Sequence, residues 1–441
     1  MKKLFKIHKF AGLTAGLVLL TLGLTGFLLD HKNWSWLYEV KVNNSFLPQS
    51  TIKKEAKLYQ THLEAFGKTF VATGRGIYTK QANIQKISLD IPTHNILFNS
   101  RTQTLFAATS EGIYSKNINK PWAIMALEGS YVNAMSMSGE TIFASVDKKE
   151  LFLVDTKTAE VTSVAQPDIK FETRDISLSR FVRDLHYGRG LFDDGWSLLL
   201  NDIAALYLIL LAASGYVMFA IIRKQRKGLK TKKHWLKPLT KLHANPVTLF
   251  LIIPFFILLV TGVFLDHNSF FRGFLKSTKV PSSIQPPVYE SLHEDIWSID
   301  YDGKSFKIGN RFGIFASDDL KQWKEVSKGF AYKMMRHNNK LYVSGMGAPN
   351  RIQVEDGSFS VLPKTPHMFK SIQENEVLKY YRSLPLKYEN TSLYTILLTL
   401  HDGTFFASWW IWINDYAALM LLILFITGST RYAVKKRWFS F

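Results

Sequence analysis

Thr25-Gly26-Phe27-Leu28-Leu29-Asp30-His31 closes one long apolar run of this chain, and Thr261-Gly262-Val263-Phe264-Leu265-Asp266-His267 closes another. Three further matches extend the correspondence outward. His8, before the first run, answers to His243, before the third. Leu185-His186-Tyr187-Gly188 answers to Leu400-His401-Asp402-Gly403. Asn201-Asp202-Ile203-Ala204-Ala205-Leu206 answers to Asn414-Asp415-Tyr416-Ala417-Ala418-Leu419, each followed by a glycine 14 residues after its Asn, Gly215 and Gly428. The chain therefore reads as a tandem duplication of one membrane-embedded unit. Histidine is costly near lipid, so three matched pairs of it at membrane edges call for a function.

The 441 residues are 47% hydrophobic and 14% aromatic, and apolar runs supply the surplus. Phe10 to Leu29 holds 20 uncharged residues, Ile203 to Ile222 another 20 and Ala244 to Leu265 another 22, each matching the roughly 20 needed to span about 30 Å of hydrocarbon. A fourth span, Trp409 to Arg431, is interrupted only by Asn414-Asp415. The net charge of +20 is concentrated at the ends of these runs: four cations in Met1 to Lys9, nine in Arg223 to Leu242 with no acid, and three in Ala433 to Phe441. That distribution sets topology rather than nucleic-acid binding, with both termini and the connector cytoplasmic and the long segments exported. The start of the chain resembles a signal peptide in composition, but no small-x-small site follows and the segment recurs, so a retained helix is expected.

The expected organisation is a membrane α-helical bundle of four helices in a 2+2 duplication, carrying an exported all-β domain. Its parts are helix 1 (1–31), a first β-rich half (32–190), helix 2 (191–223), a basic connector (224–242), helix 3 (243–267), a second β-rich half (268–400), helix 4 (401–432) and a cytoplasmic tail (433–441). Both exported segments alternate Thr, Phe, Ile, Val and Tyr between Gly, Asn and Asp turns, which reads as short strands. Within the first, the nine residues from Phe70 to Tyr78 return as Phe106 to Tyr114. Similar phrases occupy Thr141 to Val154, Phe306 to Ser317 and Lys340 to Val354. A period of this size points to a β-propeller of six or seven blades built jointly by the two halves, with two separate β-sandwiches as the alternative.

Cysteine is absent, which excludes disulfides, iron–sulfur ligation and C-x-x-C-H haem attachment; any redox cofactor must sit on histidine. The connector is too short for a nucleotide-binding module, so electrons would enter from a quinol or a partner protein. His8 and His31, 23 residues apart on one helix, mark opposite membrane faces. His243 joins His8 on the cytoplasmic side, while His31, His186, His267 and His401 gather on the outer side. Facing histidines suit six-coordinate b-type haem: His8 with His243 for an inner group, His186 with His401 for an outer one. His31 and His267 either pair with His186 and His401 to give a third haem or support it from behind. A small metal ion at Asp30-His31 and Asp266-His267 is a weaker alternative, and headgroup hydrogen bonding is the bland reading of any one of these histidines. Asp202 and Asp415, preceded by Asn201 and Asn414, should face the bundle and bond a cation, a histidine N–H or a helix end. Gly12, Gly16, Gly23 and Gly26 give one helix a small face for a neighbouring backbone or a flat cofactor. His62, His94, His234, His293, His337 and His367 have no repeat partner. Arg336-His337 and Arg351 are candidates for lining an exported pocket.

His8-Lys9-Phe10-Ala11-Gly12-Leu13 leading to Thr25-Gly26, and Leu185 to Phe192 leading through Asn201-Asp202 to Ser214-Gly215, resemble the PepSY-associated transmembrane helix family, which includes iron-regulated inner-membrane proteins and haem-containing ferric-siderophore reductases. The likeness covers the four helices and their flanks. It implies a multi-pass protein of the bacterial cytoplasmic membrane with its large domain periplasmic. It further implies transfer of single electrons from a cytoplasmic or quinol donor, through two or three b haems on helix histidines, to a periplasmic ferric chelate. On that pattern His8 and His186, and through the repeat His243 and His401, are the ligands. The second copy departs from the pattern at Ala244-Asn245-Pro246 and at Thr404-Phe405, and the exported segments show no PepSY module. The rival reading is a non-redox receptor or scaffold whose exported domain binds a partner.

Overall fold

The computed structural model of the chain describes residues 2–81, 84–165, 167, 174–192, 195–291 and 295–436. His293 and the last five residues of the expected tail lie outside them. Seven helices matter to the site: α1 Lys2–Asp30, α2 Leu178–His186, α3 Trp196–Arg226, α4 Leu236–His243, α5 Ile252–Asp266, α6 Leu393–His401 and α7 Ile411–Lys435. Three helical segments, Lys2–Asp30, Trp196–Arg226 and Ser408–Lys435, are long and apolar enough to cross a membrane.

The bundle is built on α1, which lies along both α3 and α7. Ala11, Ala15 and Leu19 of α1 pack with Ala417, Met420 and Leu421 of α7. Small residues let backbones approach, which matters where lipid removes the hydrophobic drive between helices. A Cβ on Gly23 would stand 3.2 Å from the Ala205 carbonyl oxygen, and one on Gly16 would stand 2.9 Å from the Tyr216 ring, whose hydroxyl donates to the Leu13 carbonyl at 3.1 Å.

The third apolar run differs from the single helix expected over 243–267. Lys233–Phe250 and Ile252–Asp266 meet at a 73° bend. Pro254 supplies the cause: it has no N–H to give the Phe250 carbonyl, so the ladder fails at the preceding turn. His243 ends the short helix α4 within the basic connector. Likewise His186 and His401 do not belong to spans. Each is the last residue of a nine-residue helix, α2 or α6, and the span after it begins only at Trp196 or Ser408, not at 191 or 401.

The exported-type sequence forms one ring. Five four-stranded antiparallel sheets follow chain order, over 61–89, 93–126, 132–164, 298–328 and 331–361, and Ser371–Asn375 pairs with Val377–Tyr381 as a sixth, two-stranded one. The first strands of successive sheets touch in sequence, and that of the sixth returns to that of the first, so the sheets are arranged like propeller blades. Each half contributes three. They share one apolar interior: Phe143 of the third sheet meets Phe306 of the fourth at 5.1 Å, with Ile299, Ile308 and Phe315 around them, so the halves are not separate sandwiches. The repeated nine-residue phrase is the middle hairpin of a sheet. Gly76 and Gly112 recur because both have positive φ, +119° and +124°, and a Cβ there would strike the Leu89 or Leu127 carbonyl oxygen at 2.1 or 2.8 Å.

Two small ladders join ring to bundle: Lys41–Asn43 with Asn390–Ser392, and Ile176–Ser177 with Lys279–Val280. Ser177 and Ser392, at the ends of these ladders, cap α2 and α6 with their hydroxyls and so launch the helices that carry His186 and His401. Buried ion pairs stiffen the junction. Arg75 donates to Glu55 at 3.0 Å and to Asn390; Arg311 lies between Asp184 at 2.8 Å and Asp295 at 2.7 Å.

Candidate functional site: two histidine pairs

His8 and His243 face each other with ring centres 6.1 Å apart and planes at 88°; His186 and His401 do so at 6.1 Å and 48°. All four imidazoles are held alike. Nδ1 of His8 bonds Thr427 Oγ1 at 2.9 Å, that of His243 bonds Ser214 Oγ at 3.0 Å, that of His186 bonds Thr261 Oγ1 at 3.1 Å and that of His401 bonds Thr25 Oγ1 at 3.0 Å. Each hydroxyl donates its own proton into its helix: Thr25 to Thr21, Thr261 to Ile257 and Thr427 to Ile423, at 2.7–2.8 Å, and Ser214 to Leu211 at 3.0 Å. With its proton so committed, the oxygen accepts from the imidazole. Nδ1 therefore carries the hydrogen and Nε2 presents a bare lone pair.

A glycine follows each hydroxyl residue and makes the room. A Cβ on Gly26 would stand 3.2 Å from His401 Cε1, on Gly262 3.4 Å from His186 Cε1, on Gly428 3.4 Å from His8 Cε1 and on Gly215 3.6 Å from His243 Cε1. Asn201 and Asn414 complete the outer pair: their amides donate to the carbonyls of His186 and His401 at 3.1 and 2.9 Å, fixing the helix ends that hold the rings. The hydroxyl–glycine pairs are the functional residues whose role the sequence reading missed. Their signal was present, since Thr25-Gly26, Ser214-Gly215, Thr261-Gly262 and Thr427-Gly428 are one motif repeated on four helices.

The ring spacing suits two imidazoles sharing one metal. A metal–imidazole bond of about 2 Å, with about 1 Å more from nitrogen to ring centre, places two opposed ring centres about 6 Å apart. Among the described residues no group of three or more His, Cys, Asp or Glu is placed to hold a bare ion; two histidines alone would serve a metal whose other positions a macrocycle filled. That also leaves the Asp30-His31 and Asp266-His267 ion site without a ligand set. Seventeen residues of α1 separate His8 from Thr25, which puts the two pairs about 25 Å apart along it, at opposite ends of the bundle.

His31 and His267 are not drawn into either pair. His31 Nε2 meets Asp202 at 3.2 Å and stacks on Trp34; His267 Nε2 meets Asp415 at 2.8 Å, with Trp412 beside it. The aspartates thus bond a histidine N–H. Gly12 and Gly16 face Leu424 and Tyr216, so of the α1 glycines Gly26 alone borders a site histidine. The candidates for an exported pocket are each bonded to protein groups: Arg336 pairs with Asp300 and Asp302, His337 with Glu374, and Arg351 donates to Ser327 and nearby loop carbonyls. His62 bonds Tyr59 and Gln373, and His367 accepts from the Gly347 N–H.

Membrane-spanning helices bearing a large all-β domain define the class to which this chain belongs: a polytopic membrane protein with a folded domain outside the bilayer. More narrowly, the chain belongs to the family described as "PepSY-associated TM region", whose sequence model matches residues 5–435. No curated protein matches it. Solved structures similar to it include a Bacteroides thetaiotaomicron protein of unknown function, 8% identical over 72% of this chain and 64% of that one at a TM-score of 0.36. Also similar are PorZ, a surface component of the type-IX secretion system of Porphyromonas gingivalis (9%; 75% and 39%; 0.31), and the WD40 β-propeller domain of Doa1 (10%; 76% and 90%; 0.30). The chain spans less than two thirds of the length of the first two.

Proposed function

We propose that this protein carries single electrons across the bacterial cytoplasmic membrane, through two b haems held by His8 with His243 and by His186 with His401, and delivers them to a ferric chelate on the side of the β ring. The observation that carries the reading is the pair of matched 6.1 Å imidazole couples, each with Nε2 left bare by a hydroxyl behind it. Haem bound there supplies a one-electron carrier near each membrane face. The chain's own residues fix ligand tautomer and ring position, and the apolar helices keep water from the path between the pairs.

In this reading the bent third run counts as a span, giving four spans in two repeats of two, with the cationic ends inside the cell. The ring then lies in the periplasm. A quinol in the bilayer, or a reduced cytoplasmic partner, is the donor. Each quinol oxidised releases two electrons and two protons, and two ferric ions each take one electron.

The test is spectroscopic. Protein purified in detergent after growth with added haem should show a Soret band, with split α and β bands on dithionite reduction. His243→Ala should remove the inner haem's share and leave the outer one, His401→Ala the reverse. A colourless wild-type preparation, or variants indistinguishable from it, sinks the proposal. A scaffold would keep its cellular activity in both variants.

A further inference from the structure

Above the outer histidine pair, where the ring meets the bundle, cations gather around one indole. Lys148 Nζ lies 3.5 Å from the centre of the Trp297 ring, Arg189 Cζ 5.0 Å and Lys32 Nζ 6.0 Å. A fourth, Arg180, sits 5.0 Å over Phe330, which itself packs on Trp297 at 5.2 Å, and its Nη1 is buried with no hydrogen-bond partner. Arg189 is shared with Asp184 at 3.4 Å, but among the described residues neither lysine has a carboxylate within ion-pair distance. Three like charges over a single ring repel one another, and an anion placed among them would relieve that repulsion. Burial, then Lys32 and Arg189, hold the Lys148 ammonium well below its ordinary value, and burial, then Lys32, Lys333 and Lys148, push His94 on the facing first strand down to about 3. Lys32 is exposed and Lys148 and His94 are half-buried, so these groups border a water-accessible chamber and not packed core.

The chamber is joined to the site already described. Arg189 lies 5.3 Å over Tyr187, and the Tyr187 ring is 5.8 Å from His186. The second repeat has Thr404 where the first has Arg189, so the charge is not a by-product of repetition.

We infer that this chamber binds a compact anion bearing flat, delocalised acid groups of the carboxylate or catecholate kind, carried on the chelate that accepts the electron. The inference rests on the electron-carrier reading for what the ligand does, but not for whether it binds. Acid groups would face Lys32, Lys148 and Arg180, and a flat face would lie against Trp297, whose cations then find a partner.

The test uses the full chain in detergent and redox-inert gallium(III) citrate, with binding followed by calorimetry and by quenching of tryptophan fluorescence. Wild type should bind it, more weakly as ionic strength rises, and should not bind cobalt(III) hexaammine. Lys148→Gln and Lys32→Gln should each weaken binding about tenfold, the size of one lost charge-assisted contact, while Lys148→Arg retains it. Equal binding of the cationic complex, or unchanged affinity in both glutamine variants, overturns the inference. So does the absence of gallium citrate binding to the folded wild type. A colourless preparation that still binds gallium citrate refutes the electron path and leaves the chamber standing; a coloured one that does not bind refutes the chamber alone.

Discussion

Thr427→Val removes one oxygen from behind one ligand and changes almost no volume. His8 loses the acceptor 2.9 Å from its Nδ1. The cost has two parts: the net worth of a hydrogen bond, about 1 kcal/mol, and the orphaning of a buried N–H, about 1–3 kcal/mol. The ring is also released to its other tautomer, in which Nε2 carries the hydrogen and cannot ligate. Loss of such a supporting contact lowers metal affinity about 10- to 100-fold. Haem titrated into haem-free Thr427→Val protein should therefore fill the outer pair as in wild type and the inner pair 10 to 100 times more weakly. A weaker push from Nδ1 makes His8 a poorer donor to ferric iron, so the inner midpoint potential should rise. Thr427→Ser, which keeps the oxygen, should restore both. If Thr427→Val fills both pairs as tightly as wild type with unchanged potentials, the hydroxyl does not set the tautomer.

Gly26→Leu places a side chain where even a Cβ comes within 3.2 Å of His401, so it should abolish the outer haem signal and spare the inner one; retention of both in membrane-inserted protein would contradict the cradle. Glu55→Ala leaves Arg75 charged and unpaired in a junction where both side chains are at most 4% exposed, and should cost about 3–5 kcal/mol, read as a lower urea midpoint of the ring. Burial alone would raise the Asp302 carboxyl, but the Ser305 and Lys304 N–H groups and the Lys307 ammonium hold it below the usual range. Its contribution to stability is thus present above the unfolded value near 4 and lost as pH falls below it, a slope that Asp302→Asn should flatten in urea midpoints taken through acid pH.

The membrane runs were legible because a 20-residue apolar stretch has few other uses, and the blade hairpins because Gly76 and Gly112 are forced by carbonyl oxygens that a Cβ would strike. The pairing of His8 with His243 and of His186 with His401 followed from the repeat alone. Helix boundaries around the histidines did not. Ser177 and Ser392 cap short helices that end at His186 and His401, and only ring contacts distinguish those helices from the spans after them. The bend at Pro254 was hidden inside an uninterrupted apolar run. The hydroxyls of Thr25, Ser214, Thr261 and Thr427 were overlooked because Thr and Ser in a membrane helix ordinarily bond only their own backbone, as these also do. The cations around Trp297 come from three distant parts of the chain, so no spacing in the sequence announces them.

A pyridine haemochrome count on purified, haem-replete protein tests the account most directly. Two haems per chain are expected, one for each imidazole couple, falling to one in His8→Ala and one in His186→Ala. No haem, or a count that survives loss of either histidine, would contradict it.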